Sequence, residues 1–186
     1  MSSLSSLEDL AALPAGRHVF IDANIFIYHF TQTPLSASCT AFLRRVEVGN
    51  LQGTTSVVVL AEVAHRLMVL EAIASFGFPS RTAVKQLKEH PALVKQLTHY
   101  KVASEKIPAF NVTVEPITVG HLRLAQNLSA THGLLTNDSL TAAVMQTSAL
   151  VDLASNDPDL SAVPGLTIWQ PRLPPPVSSP ARGEER

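Results

Sequence analysis

The sequence predicts an α/β fold, a three-layer domain in which helices cover both faces of a mainly parallel central sheet. Three observations carry that expectation. Short apolar or β-branched runs alternate with stretches of helical period along most of the chain. Parallel strands need crossover helices, so this alternation favours a parallel sheet over hairpins. The chain's 186 residues, 46% of them hydrophobic and 16% charged, suffice for one sizeable core and are short for two.

Taken in order, residues 1–15 predict a loose start with at most one helical turn, and residues 18–22 of "HVFIDANIFIYHF" read as a strand ending on Asp22. An amphipathic segment follows it without an intervening glycine or proline. Residues 34–48 read as a helix and 54–58 as a second, β-branched strand. Over 59–72, Leu60, Val63, Ala64, Leu67 and Glu71 recur at helical spacing, which leaves Glu62 off the centre of the apolar stripe. Past Gly77 and Pro79 comes a basic helical region broken by Pro91 and Pro108, then a short strand near 112–114. Thr118 is placed to cap a helix reaching about Ala130, and Gly133 to stop it. In "LLTNDSLTAAVMQT", Thr136 or Asn137 is placed to cap a helix over 137–148, with Asp138 in its first turn. "ALVDLA" (149–154) reads as a strand, 155–160 as the loop after it, and 166–169 as the last strand. The folded domain is therefore expected over 16–171. Residues 172–186 form a proline-rich tail whose composition cannot bury a core and is expected to be disordered.

Composition excludes several classes. The apolar runs are too short to span a bilayer, and the Ser-rich start lacks the pattern of a signal peptide, so a cytoplasmic location without membrane association is expected. A lone cysteine, Cys39, rules out an internal disulfide and a cysteine metal cage and reads as a small packing residue. Net charge is close to zero, but residues 81–106 are rich in cations: Arg81, Lys85, Lys88, Lys95, Lys101 and Lys106 against Glu89 and Glu105. Such a stretch is a solvated helical face or a contact for a phosphate backbone.

In parallel sheets covered on both faces, ligands bind outside the carboxyl ends of the strands. Asp22 and Asp157 directly follow two expected strands and fall on that rim, and Glu62 and Asp138, near the starts of two helices, reach it too. Each has an ordinary alternative. Asp22 is a favoured helix N-cap, Glu62 has Arg66 one turn on as an ion-pair partner, Asp138 complements a helix dipole, and Asp157 before Pro158 suits an Asx-turn. Asp152 and Asp159 stand in for Asp157 if the loop register shifts. Four carboxylates gathered on one rim repel each other, and a divalent cation removes that cost. Oxygen-only ligands select a hard ion, Mg²⁺ or Mn²⁺ rather than Zn²⁺, and suit phosphodiester hydrolysis through an activated water.

The ordered set "FIDANIFIY", "TTSVVVLAEVAHRL", "HGLLTNDSLTAAVM" and "LVDLASNDPDL…VPGLTIWQP" resembles the PIN-domain family, and within it the VapC-type toxin ribonucleases, over roughly residues 17–171. The resemblance implies a PIN-like three-layer fold, with Asp22, Glu62, Asp138 and Asp157 as the acidic, metal-binding catalytic positions. It matches Asn24, Ser56 and Ser155 to residues that orient the site. It also implies an RNA substrate, a VapB-like antitoxin as partner and a homodimer. Arg66, Arg81, Lys85, Lys88 and Arg123, with His65, are the candidate RNA contacts. The chain departs from the family pattern in a longer stretch over 77–116, in its proline-rich tail, and in the absence of an aromatic at the end of "SNDPDL". Two rival readings are a catalytically silent PIN-like binding protein and a haloacid-dehalogenase-like phosphatase. The latter's motif needs a second aspartate where this chain has Asn24.

Overall fold

The structure, a computed structural model, describes residues 6–173. Six strands form one sheet: β1 (Ser6–Asp9), β2 (His18–Ile21), β3 (Gln52–Ser56), β4 (Val112–Glu115), β5 (Asp152–Ala154) and β6 (Thr167–Gln170). Their order is β1-β6-β5-β2-β3-β4, and every pair is parallel. Val19, Phe20 and Ile21 are consecutive in β2 and all fully buried. Neighbouring strand residues point to opposite faces, so burial of all three means that both faces of the sheet are covered, as the three-layer prediction requires.

The crossovers are helices α1 (Ala23–Phe30), α2 (Ser36–Glu47), α3 (Val57–Phe76), α7 (Val119–His132) and α8 (Thr136–Thr147), with three short helices, α4 (Ala83–Glu89), α5 (Pro91–Val94) and α6 (His99–Glu105), between α3 and β4. From β2 the chain steps outward to β3 and β4, then returns to β5 on the other side of β2. The β2–β5 pair is thus the topological switch point, where the diverging connections leave a crevice at the carboxyl ends of the strands.

Three expectations are corrected. The second strand occupies Gln52–Ser56 rather than 54–58. Ser56 adopts an extended conformation and caps α3, so Val57–Val59 begin the helix despite their β-branched side chains. Core packing decides this, because Val59 and Val63 are buried on the inner face of α3. Secondly, neither Thr136 nor Asn137 caps α8: the cap position is Leu135, which makes no side-chain cap bond. Thirdly, the start is not loose throughout. Ser6–Asp9 adds a strand alongside β6, and Leu10 and Leu13 are buried beneath it. "SLED" carries no apolar alternation, and only its partner strand makes it one. The expected tail lies almost wholly outside the described residues, as do residues 1–5; Arg172, at its start, approaches Asp9 at 3.9 Å.

The α4–α6 segment is anchored to α3 by Glu71. Its carboxylate accepts the backbone N–H groups of Thr98 (2.8 Å), His99 (3.0 Å) and Tyr100 (2.9 Å), satisfying the free donors at the start of α6. Glu71, read in sequence as part of the apolar stripe, is a half-buried cap for another helix. Ala72, Leu87 and Leu97 form a small separate core under this segment.

Candidate active site

β2 delivers Asp22 to the sheet rim as the N-cap of α1, where its Oδ1 accepts the Ala23 N–H at 2.7 Å. Its Oδ2 accepts Asn24 Nδ2 and Ser155 Oγ, both at 2.6 Å. Asn24 also donates to Ser155 Oγ (3.0 Å) and accepts the Asn156 N–H at 2.9 Å. These bonds stitch the first turn of α1 to the loop after β5 and fix the direction of the Asp22 carboxylate. In the same loop Ser155 Oγ accepts the Asp157 N–H (3.0 Å), and Asp157 Oδ1 accepts the Asp159 N–H (2.9 Å), the Asx-turn anticipated for it. Asn156 Nδ2 donates to the Tyr28 hydroxyl at 3.1 Å.

Glu62 projects from α3, and its Oε2 accepts Asn137 Nδ2 at 3.0 Å. Among the described residues it makes no ion pair, so the Arg66 pairing is not formed. Asp138 lies in the first turn of α8. Asp22, Glu62, Asp138 and Asp157 all line one open pocket of about 350 Å³, with Arg66 and Asn137 also on its wall.

The charges in this pocket are poorly balanced. Burial pushes the Asp22 carboxyl above its ordinary value, Glu62 and Asp157 push it further, and the bonds from Ser155 and Ala23 oppose them. Asp138 is pushed up to about 6, first by burial and then by the charges of Asp157, Asp22, Asp159 and Glu62. The polar lining offers no sulfur or imidazole, and carboxylate oxygens predominate. That donor set fits a hard divalent cation. Among the described residues no three His, Cys, Asp or Glu side chains stand close enough to chelate one ion as they are positioned. The donors therefore suit an ion that keeps several waters and takes one or two carboxylates, the habit of Mg²⁺.

The other expected residues divide. Asn24 and Ser155 orient Asp22. Ser56 is buried at the start of α3, where its Oγ accepts the Val59 N–H at 3.4 Å; it sets the helix that carries Glu62 and does not touch the acids. Asp152 is excluded from the site. It starts β5, at the opposite end of the sheet, and is bound by Arg17 and Trp169. Arg81, Lys85, Lys88 and Arg123 are exposed outside the pocket. Asn137, Asn156 and Tyr28 were not singled out as site residues from sequence. The signal for the two asparagines was their place immediately before Asp138 and Asp157.

No curated protein matches the chain in sequence. Solved structures do resemble it. VapC20 of Mycobacterium tuberculosis, described as a Sarcin-Ricin loop cleaving toxin, is 18% identical with a TM-score of 0.52, over 77% of this chain and 93% of that one. A toxin–antitoxin complex from Klebsiella pneumoniae is 15% identical with a TM-score of 0.51, over 83% of this chain and 98% of the matched chain. At these identities the likeness is one of fold. The sequence model of the PIN domain matches residues 19–166, a span that takes in β2 through β5 and all four pocket acids, and the chain belongs to the PIN domain family.

Proposed function

We propose that this chain is a metal-dependent endoribonuclease that hydrolyses RNA phosphodiester bonds at the acidic pocket. The observation that carries the reading is the meeting of Asp22, Glu62, Asp138 and Asp157 on one open pocket at the switch point, with Arg66 the only cationic wall residue among the described residues. Such an arrangement is costly without a bound cation. One or two Mg²⁺ or Mn²⁺ ions, held by these carboxylates, would supply an activated water and offset charge on the phosphate. Asn24 and Ser155 hold the Asp22 carboxylate in one orientation through the bonds described above. Asn137 does the same for Glu62, and Arg66 offers a positive charge to a phosphate entering the pocket. The PIN domain match leaves the phosphatase reading without support.

RNA is favoured over other phosphodiesters by the likeness to VapC20, by its description a Sarcin-Ricin loop cleaving toxin. The likeness to a toxin–antitoxin complex supports the further reading of this chain as a toxin with a VapB-like antitoxin partner. A homodimer and a cytoplasmic setting belong to the same reading; among the described residues no helix is long and apolar enough to cross a membrane.

The test is isothermal titration of Mn²⁺ into wild type and Asp138→Asn, with cleavage of a fluorescent single-stranded RNA read on the same samples. Binding and cleavage should both fall in the variant. A wild type that binds metal but cuts no RNA would leave the silent binding protein as the better account.

A further inference from the structure

The acidic pocket does not end at the four carboxylates. Arg66 and Ile27 belong to its wall and also to that of a smaller groove of about 310 Å³ beside α3, whose lining includes His65, Val69 and Val84. Those last three residues recur in a third groove, about 630 Å³, between α3 and the α4–α6 segment. Lys88 and Lys95 edge this outer groove, and Met68, Leu87, Val94 and Tyr100 supply its apolar lining. The three grooves adjoin in series through these shared wall residues, in a line from the acids to the outer helices. Arg66, Lys88 and Lys95 are exposed along it and, among the described residues, none is in an ion pair. Lys85 on the same helix as Lys88 is 3.7 Å from Glu89.

We infer that this path holds the substrate strand on one side of the cut, as unpaired RNA with phosphates on Arg66, Lys88 and Lys95 and bases against the apolar lining. The inference rests on the ribonuclease reading and names the form of RNA and the residues that grip it. A polyanion gains from unpaired cations spaced along a groove. The apolar lining with the Tyr100 ring suits the faces of unstacked bases, which a duplex keeps covered. The α4–α6 segment, within the 77–116 stretch expected from sequence to exceed the family pattern, thereby gains a role in substrate binding.

The test measures fluorescence anisotropy of a labelled, unstructured RNA of about 20 nucleotides in EDTA over a range of KCl concentrations. Wild type is compared with Lys88→Glu/Lys95→Glu and with Arg44→Glu, an exposed position on α2 away from the path. The double variant should bind at least about tenfold more weakly, with a log–log salt slope shallower by about 1.4, the value for two lost single-strand phosphate contacts. Arg44→Glu should follow wild type, and a duplex of the same sequence should bind wild type more weakly than the single strand. A double variant within about twofold of wild type and with an unchanged slope overturns the path and leaves the outer groove to a protein ligand. Equal binding of duplex and single strand overturns the assignment to unpaired RNA. Cleavage in Mn²⁺ is read separately. Lysine-dependent binding without cleavage sinks the nuclease reading and keeps the path, whereas cleavage with lysine-independent binding does the reverse.

Discussion

Asp22 follows β2 and Asp152 starts the neighbouring β5, at opposite ends of the β2–β5 pair, and both are drawn into the protein. Asp152, 1% exposed, has its charge matched: Arg17 Nε and a terminal guanidinium nitrogen reach its Oδ2 at 2.7 and 2.6 Å, and Trp169 Nε1 donates to its Oδ1 at 2.8 Å. Asp22 accepts from just as many groups, but all are neutral donors, and the charges around it are those of other acids. The same side chain is a structural brace in one place and an uncompensated charge in the other. A fold tolerates the second only where something outside the chain completes it, which is why the acidic pocket and not Asp152 reads as functional.

The largest expected effect is at Asp22. Asp22→Asn keeps the Ser155 and Asn24 neighbours and nearly the same shape, but removes a ligand charge. RNA cleavage should fall on the order of 1,000-fold, about 4 kcal/mol in the barrier. In metal-free buffer its stability should match or exceed wild type, since one of the repelling charges is gone. A variant that unfolds in urea well before wild type would show that Asp22 serves chiefly as the cap of α1. The mirror experiment is Asp152→Asn, which keeps an oxygen for Trp169 but removes the charge and puts an amide NH2 where Arg17 donates. Because Arg17 is half exposed and recovers solvent, the loss should be about 2 kcal/mol, below that of a fully buried pair. Urea denaturation measures it, and the cleavage rate of the folded variant should stay at the wild-type level.

Asp138 extends the comparison to pH. Its folded-state value of about 6 lies above its ordinary 3.8, so the native state holds the proton more tightly than the unfolded chain. Wild-type stability should therefore decline as pH rises from about 4 through about 6, with the penalty complete above that. Asp138→Asn lacks the penalty. In EDTA it should melt higher than wild type at about pH 8 and equally at about pH 4, and saturating Mn²⁺ should reverse the order at the higher pH. Equal melting at both values in EDTA would mean that the pocket charges are too well solvated to matter.

How much of this was legible depended on how far apart the partners lie. Asp22, Glu62, Asp138 and Asp157 follow from strand ends and helix starts, which are local signals, and Asn24 sits two residues from the acid it serves. The bonds from Asn137 to Glu62 and from Arg17 to Asp152 join residues 75 and 135 positions apart, and no local pattern announces them. The Val57–Val59 run misled because its β-branched preference is local while the packing that overrides it is not. Glu71 misled for a related reason: its position on α3 matched the apolar period, but its carboxylate serves the backbone of α6, a helix whose start is marked only by Thr98.

Glu71 sharpens the comparison from a third side. Like Asp22 it is held by neutral donors alone, yet its carboxyl lies below its ordinary value. Partial burial acts to raise it, and the three N–H bonds from Tyr100, His99 and Thr98 outweigh that, helped by the nearby His99 charge. Neutral donors are therefore enough to stabilise a carboxylate where no acid crowds it, and the upward push on Asp22 belongs to burial and its acidic neighbours. A depressed folded-state value means that the contribution of Glu71 is present above about pH 4.5 and lost as pH falls through the lower, folded value. Glu71→Gln should cost about 0.5 kcal/mol at neutral pH, a small figure because the group is only partly buried and solvent screens it, and the difference from wild type should vanish in acid. Hydrogen exchange at the Thr98–Tyr100 amides reads the effect locally. Faster exchange there in the variant, with the amides of α1 unchanged, would show that the α4–α6 segment is hinged on this one carboxylate, independently of the acidic pocket it flanks.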